Sequence, residues 1–169
     1  MEKKYKKLEI VANVLIIIVT IAIAVVIVKG YLFSTNHAGQ AQNFKNMLGT
    51  TPVVPNINWK ENDKNLLIVL KQGCPFCAES AGFYQKLISE TNKNNVRVIA
   101  VLPQDIKESK KYLNELNIPI QEIRQSSLES INVSGVPTLA LIDKNGVVTN
   151  TWIGKLTPEE ELNVIKTLK

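Results

Sequence analysis

Two hydrophobic patterns follow one another along the chain. The residues from Ile10 to Val28 are apolar except for Asn13 and Thr20. As a helix this run would be about 28 Å long, roughly the thickness of the hydrocarbon core of a bilayer. Further on, short apolar runs alternate with segments whose apolar residues recur every three or four positions. Together the patterns predict one transmembrane helix followed by one α/β domain.

The charges that flank the apolar run predict its orientation. Of the net charge of +5, residues 1–33 carry +3, from five lysines and two glutamates, and residues 34–169 carry +2. Because four of those lysines precede the run, we expect the N-terminus in the cytoplasm and the domain outside. No basic stripe interleaved with aromatic residues indicates a nucleic-acid partner.

The polar segment after the run leaves two possibilities for the anchor. Gly39-Gln40-Ala41 has the small-x-Ala form of a signal-peptidase site, so a cleaved signal peptide is an alternative. That site lies far from the run, however, and we expect an uncleaved, single-pass anchor in contact with membrane lipid. The predicted segments are a basic cytoplasmic N-terminus over 1–9, a transmembrane signal anchor over 10–33, a flexible tether over 34–52 and an extracytoplasmic domain over 53–169.

The centre of the domain has the pattern of a strand, a tight turn, a helix and a second strand. Residues 66–70 are all apolar, which predicts a strand covered on both faces. A helix is predicted from Pro75 to about Glu90. Residues 96–102, apolar except for Arg97, predict the next buried strand and complete a βαβ unit.

Capping and turn motifs predict the elements that follow. Asp105 and Glu108 are spaced as in a capping box. Asn145-Gly146 is a strong hairpin turn, and Thr157-Pro158 has the form of a helix start. The predicted elements are a short edge strand over 52–59, a helix over 105–117 with Ile106, Leu113 and Leu116 facing inward, a strand over 118–124, a helical turn over 126–131, strands over 137–143 and 147–153, and a helix from 157 to the C-terminus.

The only two cysteines stand between the first predicted strand and its helix, in Cys74-Pro75-Phe76-Cys77. Pro75 suits the first helical turn, where a missing N–H costs nothing. Cys74 would then lie at the helix N-terminus, which stabilises a thiolate. Cys77, three residues on, lies on the same helical face and within disulfide reach. We therefore expect Cys74 to attack a disulfide and Cys77 to resolve the product.

The cysteine pair has two other interpretations. A zinc site needs four ligands, and the only histidine, His37, stands beside the membrane segment. An inert structural disulfide is the second alternative. We expect redox exchange without a metal or any other cofactor.

The order of these motifs resembles the thioredoxin fold. The resemblance rests on the Cys-Pro-Phe-Cys helix, on the sequence Gly135-Val136-Pro137-Thr138, and on the strand, Asp-Lys-Asn-Gly turn, strand and helix that follow. The intervening stretch, about 96–131, is similar to the βα insertion of the membrane-anchored TlpA/ResA branch, a redoxin-type domain. The resemblance covers about residues 50–169 and implies a mixed central sheet flanked by helices.

The resemblance also implies roles for the site. Pro137 is expected to be a cis-proline that faces the dithiol and joins Cys74 and Cys77 as a catalytic residue. The backbone of Val136 would pair with an extended substrate segment. Substrate binding is expected at Pro75, Phe76, Val136 and Thr138. The implied activity is thiol–disulfide exchange that reduces protein disulfides, with a membrane or extracytoplasmic electron donor restoring the dithiol.

Three positions depart from the family pattern. Ile68 stands where thioredoxins have an aspartate, and Gly73 and Ser80 stand where TlpA-like proteins have tryptophan and glutamate. Glu79 is one position short of that glutamate and is expected to be solvated. No carboxylate is therefore evident for proton transfer from Cys77, and water or Lys71 are the alternatives.

Two other functions compete with this one. A peroxiredoxin-like peroxidase shares the fold, but it needs a proline and a threonine before the cysteine and an arginine beside the thiolate. This chain has Val69 and Leu70 where the proline and threonine would help. A copper(I) carrier or assembly chaperone would need further soft ligands, and neither Met47 nor His37 is suitably placed in the sequence.

Overall fold

The computed structural model describes residues 15–21, 23 and 47–169. The chain divides into two compact units, Met1–Asn43 and Phe44–Lys169. In the first unit the described residues are helical, and their apolar side chains are exposed. Within the described ranges, no helix is long and apolar enough to cross a membrane. The other residues of the predicted anchor, the predicted N-terminus over 1–9 and the tether up to residue 46 lie outside those ranges.

The second unit is built on a five-stranded sheet, which is mixed, as the resemblance to the thioredoxin fold implies. Its strands stand in the order β3-β2-β1-β4-β5. Pairing is parallel between β1 and β2 and between β2 and β3, and it is antiparallel between β1 and β4 and between β4 and β5. The strands are β1 Lys64–Val69, β2 Arg97–Leu102, β3 Glu122–Gln125, β4 Thr138–Asp143 and β5 Val148–Ile153, and the helices are α1 Pro75–Glu79, α2 Ala81–Lys93, α3 Ile106–Glu115 and α4 Pro158–Leu168.

The central strand β1 divides the core into two clusters. Leu66 and Ile68 face one side, where residues of α2, α3 and α4 and the side chain of Cys77 cover them. Leu67 and Val69 face the other side, which is covered by non-helical segments before β1 and after β3. All four aliphatic side chains are fully buried. The prediction of a central strand covered on both faces is therefore confirmed.

The segment before β1 belongs to the packed domain. Met47 is 1% exposed, and Gly49 N and Thr50 O both bond to the backbone of Val148 at the start of β5. Residues 47–52, assigned by the sequence to the end of the tether, thus pack against the sheet. The edge strand predicted over 52–59 is wrong, because this proline-containing segment ends in a 3₁₀ turn at Trp59–Glu61 and joins no strand.

The hairpin between β4 and β5 depends on a glycine at position 146. The carboxylate of Asp143 accepts hydrogen bonds from the backbone N–H groups of Asn145 and Val147. Gly146 has a φ of +84°, and a Cβ there would lie 2.7 Å from Cδ1 of Trp59. The predicted Asn-Gly turn is confirmed, and the packing of Trp59 gives a second reason for its glycine.

The helix predicted from Pro75 to Glu90 is interrupted at Ser80. The hydroxyl of Ser80 donates to Phe76 O at 2.8 Å, and the residue itself has a φ of −86° and a ψ of 0°. Back-bonding of a serine to the carbonyl four residues earlier bends helices. The bend separates the short α1, which carries the cysteines, from the longer α2.

The stretch from 105 to 125 also departs from its predicted details. Asp105 caps α3 as expected, accepting from Glu108 N at 2.8 Å. Ile106, predicted to face inward, is 46% exposed, because the first turn of α3 points to solvent while Tyr112 and Leu113 are buried. The strand predicted from 118 begins only at Glu122, after an irregular segment around Pro119, which has no N–H to donate to a ladder.

Candidate active site

The cysteine pair lies where β1 ends and α1 begins. Gly73 has a φ of +76°, which allows the tight turn between them. Cys74 is the N-cap of α1, and its Sγ accepts a hydrogen bond from Cys77 N at 3.2 Å. Both residues are free thiols. The predicted arrangement of strand, turn and capped helix is confirmed at this point.

The two thiols occupy different environments. Cys74 is partly exposed, whereas Cys77 is fully buried in the core cluster beneath the helices. Burial, followed by the hydrogen bond with Cys74, raises the pKa of Cys77 to about 12. Cys77 is therefore a neutral thiol at neutral pH, and Cys74 is the sulfur that a substrate can reach.

A proline loop faces the accessible sulfur. The Val136–Pro137 peptide bond is cis, and Cys74 Sγ lies 3.7 Å from Val136 O in a thiol-to-carbonyl hydrogen bond. The hydroxyl of Thr138 donates to Gly135 O at 2.8 Å. On the other side, Gly154 N donates to Pro137 O at 2.7 Å. The loop is thus held from both sides beside the dithiol.

The structure brings together most of the predicted site residues. The dithiol and the Val136–Pro137 loop are adjacent, and Pro75 and Phe76 lie exposed on α1, with Phe76 54% exposed. Thr138 is different. Its side chain is 1% exposed and bonded to the loop, so it shapes the turn at the start of β4 and does not face a substrate.

An ion pair beside α1 was not evident from the sequence. Glu79 Oε2 lies 2.6 Å from Lys155 Nζ, and each side chain is about half exposed. The sequence indicated only a solvated Glu79, because its partner stands 76 residues away. Exposed pairs of this kind contribute at most about 1 kcal/mol, so its main effect is to connect α1 with the loop after β5.

Two tyrosines beneath the dithiol were also missed. Tyr84 of α2 and Tyr112 of α3 lie in the same buried cluster as Cys77. Burial, followed by electrostatic interaction with Cys77 and Cys74, raises the pKa of Tyr112 to about 12. The pKa of Tyr84 is also raised, mainly by burial. Their helical positions were visible in the sequence, but which helix face meets the dithiol was not.

No carboxylate or metal site supplements the dithiol in the described part of the chain. Residues 15–21, 23 and 47–169 contain no group of three or more histidine, cysteine and acidic side chains that could hold a metal ion. Ile68 is fully buried, and the hydroxyl of Ser80 is bonded to Phe76 O. Lys71 is exposed on the turn. Proton transfer at Cys77 therefore has no acidic side chain at the positions that the family pattern indicates.

The fold and the paired thiols define a thioredoxin-like α/β protein with a redox site. A sequence model of the redoxin family matches residues 37–168, and the chain belongs to that family. With its Cys74 and Cys77 thiols the protein is a thiol–disulfide oxidoreductase. The comparison with curated proteins found no match.

Solved structures share the fold at low sequence identity. A thiol:disulfide interchange protein from a Bacteroides species is 17% identical, with a TM-score of 0.54 over 71% of this chain and 88% of its own. A thioredoxin family protein from Chlorobium tepidum, also a thiol:disulfide interchange protein, is 13% identical, with a TM-score of 0.54 over 72% and 97%. StoA from Bacillus subtilis is 16% identical, with a TM-score of 0.50 over 71% and 98%.

The difference between the two sulfurs predicts their reactivity. In the reduced full-length protein, iodoacetamide should modify Cys74 much faster than Cys77 at about pH 7 to 9, because only a thiolate reacts. The rate at Cys77 should increase as the pH rises toward its pKa of about 12. Peptide mass spectrometry measures both rates. In denaturant, where neither is buried, the rates should converge; faster modification of Cys77 in the folded protein would contradict this assignment.

Proposed function

We propose that the protein reduces disulfide bonds of other proteins outside the cytoplasmic membrane, to which residues 10–33 tether it. One observation carries the catalytic part of this proposal. A partly exposed Cys74 and a fully buried Cys77 lie on one short helix, with Cys74 Sγ 3.7 Å from Val136 O. Cys74 is accessible to a substrate, whereas Cys77 is shielded from the substrate by its burial.

The exchange proceeds in two steps. The Cys74 thiolate attacks a substrate disulfide, forms a mixed disulfide and releases one substrate sulfur as a thiolate, which takes up a proton. Cys77 then loses its proton and attacks Cys74 Sγ. The mixed disulfide breaks, the second substrate sulfur leaves as a thiolate, and Cys74 and Cys77 form a disulfide. The substrate has gained the two electrons that the dithiol has lost.

The proline loop supplies a binding edge for the substrate. Within residues 47–169 the backbone N–H of Val136 has no hydrogen-bond partner. An unpaired N–H beside the reactive sulfur favours a substrate segment that adds as a short extended strand. Phe76, 54% exposed and two residues after Cys74 in the sequence, offers an apolar contact. These two features position the substrate cysteine for attack.

The membrane tether is proposed from the sequence, and the described residues of the segment are consistent with it. The described residues 15–21 and 23 are helical, and each large aliphatic side chain among them is at least 50% exposed. A helix that is apolar on every side is favoured in lipid and disfavoured in water. The lysines before the run favour a cytoplasmic N-terminus, which leaves the catalytic domain outside.

The direction of electron flow rests on the resemblance to the TlpA/ResA branch. Reduction of an extracytoplasmic substrate leaves Cys74 and Cys77 oxidised, so each turnover requires a donor of two electrons. The donor must lie in the membrane or outside it to reach the tethered domain. The solved structures with this fold include proteins named for thiol:disulfide interchange, which is consistent with protein disulfides as substrates.

Neither competing function gains support from the site. Arg97 and Arg124, the two arginines of the chain, both bind Glu122 at the edge of the sheet, and neither supplies the guanidinium that a peroxidase needs. Met47 lies in the core cluster on the face of the sheet opposite Cys77. The other soft ligand that was considered, His37, lies outside the described residues.

The exchange mechanism predicts which cysteine variant retains a partner. Cys77→Ser should accumulate a mixed disulfide with a disulfide-containing peptide, because the resolving sulfur is missing, whereas Cys74→Ser should form none. Non-reducing electrophoresis and mass spectrometry of the full-length variants detect the adduct. Absence of adducts from both variants would indicate a role other than thiol exchange.

The proposed direction predicts the potential of the cysteine couple. The reduction potential of a reductase must be lower than that of its substrates. The potential of the Cys74–Cys77 couple should therefore be nearer to that of thioredoxin, at about −270 mV, than to that of a strong oxidant such as DsbA, at about −120 mV. Equilibration of the full-length protein with glutathione buffers measures this value. A measured potential near that of DsbA would contradict the proposed direction of electron flow.

The proposed topology predicts which thiols are reachable from outside an intact cell. A maleimide that cannot cross membranes should label Cys74 after mild reduction. As a matched control, Lys6→Cys placed in a Cys74→Ser, Cys77→Ser background should be labelled only after the cells are permeabilised. Labelling of the position 6 variant but not of Cys74 in intact cells would contradict the orientation.

A further inference from the structure

The proline loop is connected to the segment that follows β5. Gly154, the residue after β5, donates its N–H to Pro137 O at 2.7 Å. Two residues further on, Leu156 packs against the core cluster that contains Cys77. Lys155 lies between them and is exposed. The backbone on both sides of Lys155 is therefore held to the domain, while its side chain reaches the surface.

The side chain of Lys155 contacts the helix that carries the dithiol. Its Nζ lies 2.6 Å from Oε2 of Glu79, the last residue of α1. Cys74 caps the other end of α1, and its Sγ lies 3.7 Å from Val136 O in the proline loop. These contacts form a closed ring that runs from Cys74 along α1, across the ion pair and back through the proline loop.

A substrate segment enters this ring at the contact between Cys74 and Val136. In the proposed exchange the segment adds to the backbone of Val136 while its sulfur reaches Cys74. The segment thus touches both sides of the ring and replaces the contact between them. The ion pair lies at the other end of α1 and does not depend on that contact, so it can hold α1 and the proline loop together while a substrate is bound.

We propose that Glu79 and Lys155 are positioning residues, which hold α1 and the proline loop at the separation that a peptide or protein substrate requires. The inference rests on the proposed exchange reaction and adds a source of affinity to it. A site whose parts are held in place before binding loses less conformational freedom when the substrate binds. The pair acts on the separation and not on the sulfurs, so its effect lies in substrate binding and not in the exchange steps.

The exposure of the pair limits the size of the effect. The side chains of Lys155 and Glu79 are 51% and 49% exposed, and exposed ion pairs contribute little energy because water and salt screen them. Loss of the pair should therefore raise the half-saturating concentration of a peptide substrate by about two- to fivefold. The maximal rate, which reports the exchange steps, should change less.

Single-turnover reduction of an uncharged, disulfide-containing peptide tests the proposal. Reduced full-length protein is mixed with increasing concentrations of peptide, and acid quenching followed by chromatography gives the maximal rate and the half-saturating concentration. Glu79→Gln and Lys155→Gln should each raise the half-saturating concentration about two- to fivefold and leave the maximal rate within about twofold of the wild type. Glu79→Lys combined with Lys155→Glu restores an ion pair and should return the half-saturating concentration to the wild-type value.

Three controls separate positioning from general effects. Lys93→Gln removes another exposed ion pair, 2.7 Å long and formed with Glu90 within α2, and should leave both values unchanged. Dithiodipyridine, an uncharged disulfide too small to contact both the helix and the loop, should react with every variant at the wild-type rate. Higher ionic strength should raise the half-saturating concentration of the peptide for the wild type but not for Lys155→Gln, because only the wild type has the pair to screen.

The outcomes distinguish this inference from the function on which it rests. If the wild-type protein does not reduce the peptide, the proposed function itself is wrong. If it does, and the single variants keep the wild-type half-saturating concentration or the charge exchange fails to restore it, the positioning role is refuted. An equal effect of Lys93→Gln, or a slower reaction with dithiodipyridine, would also refute it, because the loss would then not arise from the separation of α1 and the proline loop.

Discussion

The antiparallel pairing of β1 with β4 positions the whole site. Val69 near the end of β1 stands opposite Thr138 at the start of β4. The turn that follows β1 and the loop that precedes β4 therefore emerge at the same end of the sheet. This register places Cys74 beside the Val136 carbonyl. A shift by one residue would turn the side chains of a strand to opposite faces, so the different packing of the two faces of β1 fixes the geometry of the dithiol.

The same burial makes the two cysteines chemically different. The short helix α1 carries Cys74 at its exposed start and directs Cys77 into the core. A low-dielectric environment disfavours a thiolate, which keeps the second sulfur neutral until a mixed disulfide forms next to it. This protects the dithiol from indiscriminate reaction, but it makes the ionisation of Cys77 the demanding step. The positions of Ile68 and Ser80 supply no carboxylate to assist that ionisation.

Much of the fold was predictable because its signals are local. The capped start of α3, the Asn145-Gly146 turn and the apolar run over 66–69 in β1 each depend on residues close in sequence, and each is confirmed. Most predictions that failed concern details that depend on contacts between residues far apart in the sequence. Ile106 is exposed because the packing of α3 selects another face. The bend at Ser80 is an exception, because it depends on a local hydrogen bond to Phe76 O that competes with the regular helix. Residues 47–52 pack against the domain through bonds to β5 that no local pattern indicates.

The sequence by itself determined the dithiol motif and most of the strands and helices, because these depend on short-range spacing and hydrophobic period. The resemblance to the thioredoxin fold implied the proline that faces the dithiol. The tertiary structure decided the environment of each group. It buried Cys77 and Thr138, paired Glu79 with Lys155, and brought Tyr112 into the cluster beneath the dithiol. Burial and electrostatic contact arise from elements that are far apart in the chain, and only the assembled sheet and helices bring them within range.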